Sequence, residues 1–245
     1  MISFNTRLLD RAKKMNSYLC VGIDISPELL GSDKLEDLVA HSKLVVDATR
    51  DIALAYKPNF AFFERWGPKG FEWLEQLVNY IGKGPILIAD AKRGDIGTTA
   101  SQYAESIFNY FGFDCVTLSP YLGVDSIDPF LLHSGKGVFI LCRTSNPSGS
   151  EFQNMAIKNN TMLYESVALW ANSINTHEGN TSPLFTPNNS DGYMADLGVK
   201  QLEKDSSEEG SILRAYSLKY CFPTNVSQID LAYDSNDQIE EFTVE

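Results

Sequence analysis

Two acids and a lysine stand within six positions in Ile88-Ala89-Asp90-Ala91-Lys92-Arg93-Gly94-Asp95-Ile96-Gly97-Thr98-Thr99, where an apolar run ends. Strand side chains alternate with period two, so Asp90 and Lys92 are expected on one face. Charges on the interior face of a buried strand are costly unless paired, and pairing under burial is what tunes an acid or an amine for proton transfer. An ion pair that merely closes the end of a sheet is the competing reading. Asp95, shortly before TTASQYAESIF, is equally suited to stabilising a helix start. Two further charges end upstream strands, Lys57 in AYKPNF and Asp24 in VGIDIS. Each alone is an ordinary solvated strand-end charge, but four charged positions from three strands converge on the same carboxyl ends. The loop Arg143-Thr144-Ser145-Asn146-Pro147 adds hydroxyl and amide groups suited to a planar polar ligand, although taken alone it reads as a turn.

Such a cluster needs strands that end together, and the first 180 residues supply them by alternating short apolar runs with amphipathic segments. Helices are predicted at about 4–15, 36–51, 67–81, 98–111, 125–133 and 160–175, with strands at 18–24, 53–58, 85–91, 114–120 and 137–143. In the third helix Phe71, Leu74, Leu77, Val78 and Ile81 are expected on one face. Fully apolar strands such as VFILC fit a parallel sheet covered on both faces. Five βα units result, and the 245-residue length matches a single (β/α)8 barrel of about 250 residues, whose active site lies at the carboxyl ends of the strands.

From about residue 181 the pattern changes to turn-rich TSPLFTPNNSDGYMADLG and then QLEKDSSEEG, a polar run without apolar period. SILRAYSLKYCF and VSQIDLAY, separated by PTN, predict a hairpin. Residues 1–180 hold 16 basic and 20 acidic groups, whereas 181–245 hold 4 and 12. The chain therefore divides into a barrel domain, 1–180, and a divergent acidic tail, 181–245, left open between a hairpin and a poorly ordered segment.

The net charge of −12 argues against nucleic-acid and anionic-membrane partners. The start, MISFNTRLLDRAKKMNS, lacks the apolar core of a secretory signal, and no stretch approaches the ~18 apolar residues of a membrane span. Cys20, Cys115, Cys142 and Cys221 are widely spaced without a C-x-x-C pair, which predicts reduced thiols and a cytoplasmic location. His41, His133 and His177 are too scattered to form a metal site.

VGIDIS, AYKPNFAFFE, IADAKRGDIGTTASQYA, LSPYLGVDS and GVFILCRTSNPSGSEFQ together resemble the orotidine 5'-phosphate decarboxylase family, in its bacterial and protozoan branch with a long loop after the fifth strand. The resemblance runs over residues 1–178 and includes D-x-K-x-x-D-I-G. A bare D-x-K-x-x-D is shared by metal-dependent sugar-phosphate enzymes of the same barrel suprafamily, but Lys57 in YKPN and the RTSNP loop favour the decarboxylase. The resemblance implies a TIM-barrel fold and conversion of orotidine 5'-phosphate to uridine 5'-phosphate in de novo pyrimidine biosynthesis. It also implies a homodimer with shared active sites and no metal or organic cofactor. By resemblance, Lys57, Asp90, Lys92 and Asp95 form an alternating charge network, with Asp95 reaching the neighbouring subunit's site and Lys92 protonating C6. Asp24 and Thr99 then contact ribose hydroxyls, Thr144 and Ser145 read the pyrimidine amide, and Gln153 lies in the loop that closes over substrate.

After Asn175-Thr176-His177 the family continues with three further strands, a P-G-I-G-x-Q-G-G phosphate loop and a phosphate-binding arginine, and this sequence has none of them. Arg214, in SILRAYSLKY, is the sole arginine beyond Arg143 and does not match that context. Activity below that of a complete relative is therefore expected. A metal-dependent sugar-phosphate lyase or epimerase, and a non-catalytic truncated homologue, stay open as other readings.

Overall fold

The computed structural model describes residues 3–157, 160–178, 198–204 and 210–217. Its elements alternate as the periodicity predicts. Helix α1 (Phe4–Met15) precedes strand β1 (Cys20–Ile23); α2 (Pro27–Leu30) and α3 (Leu35–Thr49) lead to β2 (Ala55–Pro58). Next come α4 (Phe60–Glu64), α5 (Pro68–Ile81) and β3 (Ile86–Arg93). Helix α6 (Gly97–Ala104), prolonged as a π-helical turn over Glu105–Tyr110, leads to β4 (Cys115–Leu118); a 3-10 turn at Val124–Ser126 and α7 (Asp128–Leu131) lead to β5 (Gly137–Ile140). Helices α8 (Ser150–Gln153) and α9 (Leu163–Glu178) follow. The five strands form one sheet in the order β1-β2-β3-β4-β5, with parallel ladders from β1 to β2, β2 to β3 and β4 to β5. This is the α/β arrangement of the first five units of a TIM-type barrel.

The described residues fall into two compact units, one of Asp10–Asp90 and the other of residues 3–9 with the described part of Ala91–Ser217. In the first, every residue of β1 and β2 is buried, as parallel strands covered on both faces must be. Helix α5 buries Gly70, Trp73, Leu74, Leu77 and Ile81. Phe71, expected on that face, is exposed, because the apolar stripe centres one position away and Trp73 fills it. The Trp73 ring lies 4.3 Å from that of Phe63, and its Nε1 donates to Ser42 Oγ at 3.0 Å, which satisfies the one polar atom of a buried indole. Three short helices, α2, α4 and α8, were not predicted, and the first two carry a local signal. Their signal is a cap: Ser26 Oγ accepts from Leu29 N–H to start α2, and Asn59 Oδ1 accepts from Ala61 N–H to start α4.

In the second unit Phe4 is buried, with its ring edge-on to that of Phe139 at 6.4 Å. Arg7 pairs with Asp114 and donates to the Gly135 carbonyl. Strands β6 (Gly198–Lys204) and β7 (Gly210–Ser217) form an antiparallel pair. A hairpin was expected further along, between 211–222 and 226–233. The partner of β7 is instead the segment 198–204, whose end belongs to the polar run without apolar period. A register irregularity between Gln201 and Leu202 interrupts the ladder, so the apolar residues Val199 and Leu202 stand at odd spacing and no period-two pattern is visible. The second predicted strand, 226–233, lies outside the described residues.

Candidate functional site

Strand register brings the first charged group together. Cys20, Val21, Gly22 and Ile23 pair with Ala55, Tyr56, Lys57 and Pro58, while Ala55 and Tyr56 pair with Ile86 and Leu87. The same offset recurs at the bridge between Asn59 and Asp90. By period-two alternation Cys20, Gly22 and Asp24 therefore share a face with Lys57 and Asp90. Gly22 stands directly opposite Lys57 and has no side chain to compete for that space. Each charged residue is then fixed by the capped turn that follows it, Asp24 by Ser26 at α2 and Lys57 by Asn59 at α4.

Lys57 Nζ donates to Asp90 Oδ2 at 3.0 Å, with the two side chains only 11% and 3% exposed. Asp24 is equally buried. Burial is the largest influence on the Lys57 ammonium and pulls its pKa down; Asp90, Asp24 and Cys20 together outweigh it and hold the pKa above the ordinary lysine value. Lys57 is thus a fixed cation, and Asp90 is held against it inside the sheet.

Past Asp90 the backbone changes character. Lys92 has φ 46°, the one described residue other than glycine or asparagine in the left-handed region. Such a conformation costs a residue bearing Cβ about 1–2 kcal/mol. Regular alternation, on which the shared face of Asp90 and Lys92 was predicted, is interrupted here, and Lys92 is exposed where Asp90 is buried. Lys92 N–H donates to Thr117 Oγ1 at 2.9 Å, and Ser119 N–H donates to the Arg93 carbonyl at 2.7 Å. Gly94 packs so closely on Ser119 that an added Cβ would lie 3.0 Å from the serine Cβ. The Arg93 guanidinium stacks over the Tyr103 ring at 4.8 Å. Asp95 is half-buried and its Oδ1 accepts from Ile96 N–H at 2.8 Å; Ile96 occupies the cap position of α6 without a side-chain bond. Thr99, in the first turn of α6, is exposed.

The loop after β5 closes on itself. Gln153 Oε1 accepts from Thr144 N–H at 2.8 Å and from the Arg143 guanidinium at 3.0 Å, while Gln153 Nε2 donates to Thr144 Oγ1 at 2.7 Å. Gly149 is packed against this ring, where a Cβ would lie 2.7 Å from Thr144 Oγ1. Ser145 is exposed beside it. Thr117, Ser119 and Arg143 are the contributors that sequence reasoning did not single out as ligand or catalytic positions. The loop motifs LSPYLGVDS and RTSNP contain Ser119 and Arg143, whereas Thr117 lies inside the strand predicted at 114–120 and carried no signal of its own. Among the described residues no three His, Cys, Asp or Glu side chains gather as a metal site, and no helix is long and apolar enough to cross a membrane. Cys20, Cys115 and Cys142 are buried and form no disulfide among the described residues; Cys221 lies outside the described residues.

A family model described as orotidine 5'-phosphate decarboxylase / HUMPS family matches residues 17–178, which hold Asp24, Lys57, Asp90, Lys92, Asp95, Thr99, Thr144, Ser145 and Gln153. The chain belongs to this family. It is 42% identical over 184 residues to the orotidine 5'-phosphate decarboxylase of Roseiflexus sp. (strain RS-1), covering 74% of this chain and 67% of that protein. The Roseiflexus castenholzii enzyme of the same name is 47% identical over 177 residues, 70% of this chain and 64% of that protein. Among solved structures, the OMP decarboxylase of Leishmania donovani superposes with a TM-score of 0.67 at 38% identity, covering 74% of this chain and 69% of that one. The chain thus spans about two thirds of the length of these relatives. A second family model, described as phage tail tube protein, matches residues 148–245 and overlaps the first over 148–178.

Proposed function

We propose that this chain decarboxylates orotidine 5'-phosphate to uridine 5'-phosphate in pyrimidine biosynthesis, as a cytoplasmic homodimer without metal or organic cofactor. The observation that carries the proposal is the buried Lys57–Asp90 pair followed within two residues by the exposed, conformationally constrained Lys92, inside a family match that spans all three. In the reaction the bond from C6 to the carboxylate carbon breaks, CO2 leaves, and the electron pair stays on C6. No cofactor delocalises that pair, so the protein must stabilise it electrostatically. Lys92 supplies the cation and then the proton to C6, leaving a neutral amine. Asp90 holds negative charge beside the departing carboxylate, anchored by Lys57. Asp95 completes the network and, with Thr99, serves the partner subunit's site. Asp24 takes the ribose hydroxyls, Thr144 and Ser145 the pyrimidine amide, and Gln153 the closing loop.

The domain division follows the same line: residues 1–180 form the decarboxylase segment and 181–245 an acidic tail of different character. The tail stands where the family carries its phosphate-binding loop and arginine. Remote phosphate binding lowers the barrier at C6 in this chemistry, so turnover is expected far below that of a complete relative. Incubation with orotidylate, followed by its absorbance, tests the proposal. The parent chain should consume substrate, also in EDTA, while Lys92→Ala should abolish turnover and retain part of the binding. Equal activity of Lys92→Ala and parent would remove Lys92 from the mechanism; EDTA sensitivity would favour a metal-dependent sugar-phosphate enzyme. No loss of absorbance would leave a non-catalytic homologue. Size-exclusion chromatography of the same sample tests the dimer.

A further inference from the structure

We propose that Thr117 is a positioning residue for Lys92: its buried hydroxyl captures the Lys92 amide and holds the lysine in its left-handed conformation. The proposal rests on the decarboxylase reading of Lys92. Thr117 belongs to β4, and its side chain is wholly shielded from solvent. A threonine hydroxyl in such a place must find a partner, and Oγ1 accepts from Lys92 N–H at 2.9 Å. Two residues on, the Ser119 amide holds the Arg93 carbonyl at 2.7 Å, and Gly94 lies against Ser119. Successive fixed points on one strand end thus pin Lys92, Arg93 and Gly94 in turn. A left-handed lysine persists only where its surroundings over-determine it, and this clamp does so. The consequence is directional. Without the clamp Lys92 relaxes toward extended backbone, its side chain leaves the reacting position, and the chemical step suffers while binding groups elsewhere stay in place. Misplacement by about 1 Å can cost on the order of 10²-fold in rate.

The test uses the full-length chain labelled with 15N-lysine, the Lys92 amide being assigned by its loss in Lys92→Arg. In the parent, Lys92 N–H should exchange slowly although the residue is exposed; exchange at the rate of an unstructured amide would overturn the proposal without any variant. Thr117→Val removes the hydroxyl at nearly constant shape and should speed Lys92 exchange about 10-fold or more. Thr117→Ser keeps the hydroxyl, loses the methyl group, and should preserve the protection. Equal protection in Thr117→Val and parent, or equal loss in Thr117→Ser and Thr117→Val, would refute a positioning role. In orotidylate turnover, Thr117→Val should lower kcat by roughly 10²-fold with KM within about twofold, and Thr117→Ser should recover most of kcat. If the parent itself shows no turnover, the decarboxylase reading fails, and the exchange measurement still decides whether Thr117 holds Lys92.

Discussion

Removing one member of the Lys57–Asp90 pair should destabilise the chain far more than a surface ion pair would, and the two losses should not add. At 3.0 Å and an effective dielectric of about 20, the pair's Coulomb attraction is about 5 to 6 kcal/mol, against which the burial of both groups must be set. Breaking such a pair by removing one partner typically costs about 3–5 kcal/mol, because the other charge is left buried. Asp90→Asn leaves the Lys57 ammonium with Asp24 as a remaining neighbour, so about 3 kcal/mol is expected. Lys57→Met strands two buried carboxylates, Asp24 and Asp90, and should cost about 5 kcal/mol. In the double variant only Asp24 stays charged, and a total of about 5 kcal/mol gives a coupling of about 3 kcal/mol. Urea unfolding followed by the fluorescence of the buried Trp73 measures all four proteins. The pH dependence has a definite sign. Lys57 has a folded pKa above its ordinary 10.5, so its contribution is fully present below that value and is lost as pH rises through the higher folded pKa. The gap between parent and Lys57→Met should therefore be the same at pH 7 and pH 9 and shrink only above 10.5. Additivity of the single losses within about 0.5 kcal/mol would refute the coupling.

Two glycines test the packing that holds the site. At Gly70 a Cβ would lie 1.8 Å from the Phe63 carbonyl oxygen, so Gly70→Ala must separate α5 from α4, with an expected loss of about 3 kcal/mol and a Tm lower by roughly 6–12 °C; an unchanged Tm would show that the helices approach less closely. At Gly137 a Cβ would lie 2.3 Å from the Phe4 ring, so Gly137→Ala should cost about 1–2 kcal/mol and expose α1 to trypsin at Arg7. Parent-like cleavage would show that Phe4 can shift within its site.

Much of the fold was legible because each unit carries its own local signal. Apolar runs too short for helices and flanked by amphipathic segments marked β1 to β5, and Pro68 with the stripe through Leu74, Leu77 and Ile81 marked α5. Phe71 was misplaced because period alone cannot choose between adjacent stripes; the hydrogen bond from Trp73 to Ser42 does. The short helices α2, α4 and α8 escaped because a four- or five-residue helix offers little period to detect; α2 and α4 show only a cap, and α8 has no side-chain cap either. The β6–β7 pair was displaced because an irregular ladder erases the alternation by which strands are recognised.

For the charged group, residue types and strand ends were enough to nominate Asp24, Lys57, Asp90 and Lys92, since charges at the ends of apolar strands are costly without a purpose. What the residues alone determined is that charged groups end three successive apolar strands. Tertiary structure decided how they differ. Register placed Gly22 opposite Lys57 and let a buried lysine stay protonated between carboxylates. The hydroxyl of Thr117, on a strand 25 positions away in sequence, caught the amide of Lys92 and accompanied the turn that leaves this lysine exposed. No local pattern encodes that contact, because a left-handed lysine is unfavourable by itself and persists only through groups that the fold brings to it.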